Sequence, residues 1–189
     1  MIELRKITMA RLMMLEPVLT QESKDALLNV GKPHSVCGKV LPDDLNGISI
    51  GALFALQSAV KSENTATIVS ECARVVLGIA PQKVLLSRAD EALGFMLWVL
   101  RELERIALLW KAATPPPTAE AIQAGVDMLD FGEFGTIDWF AQRMHIQDHD
   151  KVMEIPWVRI YKCLDIDTKR AQFQERYREI INKQQAKKI

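Results

Sequence analysis

The chain has 189 residues, 49% of them hydrophobic, and its 24 acidic residues balance 24 basic ones. That size and apolar content suit one domain, or a domain with a small appendage, built on a sizeable core. Zero net charge leaves no global field toward nucleic acid or an anionic membrane, and three scattered cysteines (Cys37, Cys72, Cys163) without CxxC spacing fit the reduced thiols of a cytoplasmic protein.

The opening stretch, MIELRKITMARLMML, mixes charges through its apolar positions and lacks the clean apolar core of a secretion signal. Ile2, Leu4, Ile7, Leu12 and Leu15 suggest a short helix, with an edge strand as the alternative for the first few residues; Glu16-Pro17 ends it. A second short helix is expected over Thr20 to Val30, stopped by Gly31. Gly31 to Lys39 is flanked by glycines but lacks the GxxxxGK[ST] spacing of a phosphate cradle, and reads as a connector. Leu41 to Leu45 looks like a single helical turn. Ser49 then caps a helix over Ile50 to Val60, Asn64 to Leu77 forms another that stops at Gly78, and Pro81 starts a short turn.

The longest periodic segment follows. Over Ser87 to Lys111, Leu93, Met96, Leu97, Leu100, Leu103, Ala107 and Trp110 recur at spacings of three and four, and Phe95, Trp98, Val99, Ile106 and Leu109 widen the apolar face. Ser87 and Asp90 have the spacing of a capping box. Such a helix belongs at the centre of a bundle or against a partner. Arg101, Glu102, Glu104 and Arg105 interrupt it and exclude a membrane span. Glu102 is placed to pair with Arg105, whereas Glu102 and Glu104 face different sides and cannot act as an acid–base pair.

Thr114-Pro115-Pro116-Pro117-Thr118 cannot continue a helix and marks the expected internal boundary. Thr118 caps a helix expected over Ala119 to Leu129, and Phe131 to Gly135 reads as a glycine-hinged link. Thr136 to Met153 has the outline of a helix-turn-helix, but Asp148 and Asp150 head its second helix, where approach to phosphates would be opposed; it reads as a structural corner. His145 and His149 stand four apart without a third ligand, so no metal site is expected. Pro156 starts the last helix, which contains Trp157, Ile160, Tyr161, Leu164, Phe173, Tyr177, Ile180 and Ile181, is loosened near Asp165 to Thr168, and frays from Asn182 to Ile189. From Lys169 onward Lys169, Arg170, Arg176, Arg178, Lys183, Lys187 and Lys188 outnumber Glu175 and Glu179; they read as a solvated helix whose cations suit its C-terminal dipole.

These elements predict an all-α protein. Residues 1–113 form a bundle around the helix 87–111, residues 114–118 a proline-rich linker, and residues 119–189 a smaller helical unit. No GxSxG, Cys–His signature, Rossmann glycine triad or P-loop is present, so no catalytic or cofactor-binding residue is nominated. Met9, Met13 and Met14 serve either an irregular core or a partner-binding stripe, since thioethers adapt to both. Whether a strip around Trp98 and Trp110 stays open separates a scaffold from a binding protein.

Three blocks, LPDDLNGISIGALFALQSAV, ADEALGFMLWVLRELERIALLW and TIDWFAQRM…VMEIPWVRIYKCL…KRAQFQERYREI, resemble in pattern and order the tail assembly chaperones and related small accessory proteins of tailed bacteriophages. The resemblance covers Leu41 to the end. Such chaperones bind the long tape measure protein and help tail tube subunits assemble around it. It implies a non-enzymatic protein of the host cytoplasm, without cofactor or metal, whose partners are tape measure and tail tube proteins and a second copy of itself, with neither nucleic acid nor membrane among them. The expected partner-binding residues are Trp98, Trp110, Met9, Met13, Met14, Trp139 and Trp157. The competing classes are a virion structural or connector protein and a helix-turn-helix regulator.

Overall fold

A computed structural model describes residues 3–186, with the side chains of Lys24, Ala26, Asp127 and Ala186 left out. The expectations for Ile2 and for residues 187–189 lie outside the described residues. The fold is all-α: ten α-helices, three short 3-10 turns and one two-stranded antiparallel ladder among the described residues. The chain forms two compact units, Met1–Ile106 and Ala107–Ile189.

In the first unit, Thr8 caps α1 (Met9–Leu15) through its hydroxyl, which accepts the Arg11 N–H at 3.3 Å. The chain start makes one strand-like contact rather than a strand: Thr8 bridges Arg88, with Met9 N–H donating to Ser87 O and Ala89 N–H to Ile7 O. The short α2 (Gln21–Leu27) follows. The stretch expected to be a plain connector holds a hairpin, β1 (Ser35–Val36) and β2 (Lys39–Val40), closed by Cys37-Gly38. Both turn residues have positive φ, 49° and 78°, the requirement of a type I′ turn. The hairpin reaches the C-terminal end of a neighbouring helix, where Lys39 Nζ donates to the carbonyl of Leu77. No helical turn forms over residues 41–45. Ser49 and Asn64 cap α3 (Ile50–Ala59) and α4 (Thr65–Leu77), Gly78 closes α4 in the left-handed conformation, and Pro81 opens α5 (Pro81–Leu85).

The central helix, α6, runs from Ala89 to Ala113. Ser87 does not cap it; its hydroxyl donates to Val84 O at 2.7 Å. All residues from Ala92 to Val99 are buried, so this half of α6 is enclosed on every side, as its two apolar lines demand. Beyond it burial narrows to Leu103, Ile106 and Ala113.

The second unit starts inside α6. The division falls at Ile106/Ala107 and not at the prolines, because the last turns of α6 pack within this unit: Trp110 meets Tyr161 edge-on at 6.0 Å, and Thr168 donates to Ala113 O at 2.8 Å. Thr118 caps α7, which is shorter than expected (Ala119–Gln123), because Gly125 turns left-handed and a 3-10 turn follows. The expected hinge at Phe131 to Gly135 is instead the first turn of α8 (Gly132–Met144). A left-handed His145 and the cap Asp148 lead into α9 (His149–Met153). Ile137, Phe140, Ala141, Val152, Trp157 and Ile160 form the core here. α10 (Trp157–Ala186) continues unbroken through Asp165 to Thr168, helped by Lys169 pairing with Asp165 at 2.7 Å.

Candidate partner-binding surfaces

The clearest concave surface belongs to the first unit. Met9, Leu12 and Met13 of α1, Leu27 of α2 with the adjoining Leu28, and Leu93, Met96 and Leu97 of α6 line an apolar groove of about 260 Å³. Three of these are methionines, whose flexible thioethers let a surface refit around different apolar partners. Among the described side chains, Glu16 and Asp25 are the charged residues on its wall, and both are acidic. A shallower hollow shares Met13, Glu16 and Thr65 with it and adds Glu63. On the α6 side the groove is walled by Leu93, Met96 and Leu97, which are themselves buried.

On another side of the same half of α6, the chain comes much closer. A Cβ on Gly94 would lie 2.3 Å from Gly31 O, 3.1 Å from Val30 Cγ1 and 3.2 Å from Pro33 Cδ. Only glycine admits the loop at that distance. The loop is pinned by Lys32, whose Nζ donates to Pro42 O at 2.7 Å and Asp43 O at 3.0 Å and lies 4.4 Å above the Trp98 ring. Further along α6, Glu102 accepts the Leu45 N–H at 3.1 Å and two bonds from Arg105, at 3.0 and 2.8 Å, while Arg105 also donates to Asn46 Oδ1 at 3.0 Å. Hydrogen bonding by Arg105 holds the Glu102 carboxyl below the usual glutamate range; burial opposes this and the Leu45 N–H supports it. The pairing of Glu102 with Arg105 was legible in the sequence. Its use as a clasp on residues 44–46 was not.

The seven residues nominated from the sequence divide three ways. Met9 (1% exposed) and Met13 line the groove, Met9 at its floor. Met14 is 80% exposed and does not line it. Trp98 (7% exposed) and Trp157 (1%) are core residues, Trp98 set beside Phe95 at 6.1 Å and Trp157 beside Tyr161 at 6.0 Å. Trp110 and Trp139 are half-buried; the Trp110 indole N–H is buried with no acceptor among the described residues, and Trp139 lies 6.2 Å from Phe140 and 5.9 Å from the Arg143 guanidinium. Comparison with protein-family models, curated proteins and solved structures finds no match.

Two surfaces went unnominated. Met128, Leu129, Phe131 and Phe134 form an exposed apolar run in the second unit, with Met128 88% exposed. In α10 every residue from Lys169 to Ile180 is exposed, including Phe173 and Tyr177, whose rings stack at 6.1 Å. The spacing of Phe173, Tyr177 and Ile180 gave a signal for an apolar helical face; it could not say that the chain leaves that face uncovered. At the helix-turn-helix outline, His149 Nε2 lies 3.2 Å from Asp138 Oδ1 and its ring 5.1 Å from Phe134, so this histidine ties α9 to α8. No trio of His, Cys, Asp or Glu among the described residues has metal-binding geometry, and no helix there is long and apolar enough to cross a membrane.

Proposed function

We propose that this protein is a non-enzymatic assembly factor that binds apolar helical segments of other proteins, in the manner of a phage tail assembly chaperone. The observation that carries the reading is the methionine-lined groove between α1, α2 and α6, with acidic residues on its wall. A groove of this kind takes the apolar face of an amphipathic helix, reading anchors at helical spacing. Carboxylates at the rim favour a client whose flanking residues are basic. A long, aggregation-prone, helix-forming protein such as a tape measure protein offers many such segments, and shielding them until tube subunits arrive is the work of a chaperone. The exposed run from Met128 to Phe134 gives the second unit a further apolar contact surface.

Co-expression with a tape measure segment encoded in the same gene cluster tests the proposal, read by client solubility and co-elution. The expected result is a soluble complex that is lost on Met13→Glu, which puts a charge into the groove while leaving the floor residue Met9 in place. Absence of both solubility gain and complex refutes it, as does a complex indifferent to Met13→Glu.

A further inference from the structure

A second feature stands apart from any client. Residues 169–180 of α10 are exposed on all sides. A helix of that length without tertiary support is marginal in water, since most helical stability comes from packing an apolar face. Here the face exists. Phe173, Tyr177 and Ile180, at i, i+4 and i+7, are 61%, 55% and 54% exposed. Within residues 169–183, Lys169, Arg170, Arg176, Arg178 and Lys183 stand against Glu175 and Glu179, a segment charge of plus three from five cations and two anions, although Lys169 also pairs with Asp165 one turn before.

That charge discriminates between occupants. Pairing of this helix with the same helix of another copy brings plus three against plus three, a juxtaposition that disfavours association. The groove of the first unit offers the complementary surface: apolar, methionine-lined, and acidic at Glu16 and Asp25, with Glu63 adjoining. Its volume of about 260 Å³ exceeds the roughly 150 Å³ that suffices for a benzene ring in an apolar cavity. We propose that the groove of one copy receives the Phe173–Tyr177–Ile180 face of α10 from a second copy, so that the protein self-associates through its own client-binding surface. The proposal rests on the groove being a docking surface, as in the functional reading above, but not on the identity of the client. Its consequence is competition: a client helix displaces the second copy's α10 and converts the oligomer into a client complex.

The test uses the full chain in size-exclusion chromatography with light scattering over a concentration series. Wild type is expected to be a dimer or larger. Phe173→Ala/Tyr177→Ala, at exposed positions whose truncation leaves the core intact by circular dichroism, is expected to weaken association about thirtyfold or more, the scale of an aromatic hot spot. A charge exchange gives the sharper arm. Glu16→Lys/Asp25→Lys and Arg176→Glu/Arg178→Glu are each expected to associate poorly alone and to form a mixed oligomer when combined, because each supplies what the other has reversed. A wild type that stays monomeric throughout overturns the proposal, as does an oligomer unmoved by both sets of variants, or a pair of charge variants that does not recover on mixing. If client binding in the co-expression assay survives while self-association is absent, the self-association proposal falls and the functional reading stands.

Discussion

Replacing Gly94 by alanine sets two physical effects against each other at one atom. In the interior of a helix, alanine is favoured over glycine by about 1 kcal/mol, so propensity alone makes the variant more stable. The added methyl, however, would sit 2.3 Å from a backbone carbonyl oxygen, that of Gly31, and within 3.2 Å of Pro33 Cδ. Backbone cannot rotate away as a side chain does. The loop has to lift by roughly an ångström, and overpacking of this kind costs about 1–3 kcal/mol. Lifting also strains the Lys32 bonds to Pro42 O and Asp43 O, worth about 1 kcal/mol each when made. We expect a net destabilisation of about 1–3 kcal/mol. Cys72 provides an assay confined to the first unit: it is fully buried, and desolvation pushes its thiol up to about 12, so it reacts only when the unit opens. With Cys37 and Cys163 replaced, the labelling rate of Cys72 under native conditions is expected to rise about 5- to 150-fold in Gly94→Ala. Gly31→Ala is the control, since a Cβ there meets nothing within 4 Å, and it should leave the rate within about twofold. A Gly94→Ala protein as stable as wild type, or more so, refutes the seating of the loop on α6.

Two other substitutions probe different links. Glu102→Gln keeps the shape and an acceptor for Leu45 N–H but loses the bidentate bond to Arg105; because the Arg105 side chain is 38% exposed and screened, we expect a loss of about 1–2 kcal/mol at neutral pH in urea unfolding. The Glu102 pKa is depressed in the folded state, so its contribution is complete above the ordinary glutamate range and fades as pH falls through the depressed value; the gap between wild type and variant must close in acid, and a gap constant down to strongly acidic pH contradicts the ion pair. At the hairpin turn, Cys37→Asn should stabilise by a few tenths of a kcal/mol or more, and Cys37→Val should destabilise by about 1 kcal/mol or more, since φ is 49° there; equal thermal midpoints for the two variants would falsify the type I′ assignment.

Much of the fold could be read from local chemistry. Ser49, Asn64, Thr118, Gly78 and Pro81 act where their side chains or backbone freedom say they should, because capping and termination depend only on residues within one turn. What failed depended on contacts distant in sequence. Gly31 to Lys39 carries no strand periodicity, yet becomes a hairpin held by Lys39 on the end of α4 and by Lys32 over Trp98. Nothing near Gly94 in sequence accounts for a glycine inside this helix; its reason is a carbonyl contributed from more than sixty positions earlier. The three prolines promised a boundary, since they must end α6, but a chain can stop being helical without changing its packing partners. Trp110 and Ala113 already belong with Tyr161 and Thr168.

The residues nominated for partner binding separate by burial. Trp98 and Trp157 are core residues, since a large ring at a periodic apolar position is as valuable to a core as to an interface. Methionine fared differently within a single cluster: Met9 and Met13, four apart, fall on the groove side of α1, while Met14, one step further on, is turned through roughly 100° and lies outside it. Periodicity therefore locates an apolar face but is silent on whether the chain itself covers that face. α10 shows this within one helix. Trp157 and Ile160 are buried and Phe173, Tyr177 and Ile180 are not, although all five satisfy the same spacing rule. What surrounds them also differs: the exposed three are embedded in a cationic segment, and the self-association proposed above seats that face on the acidic groove of a second copy.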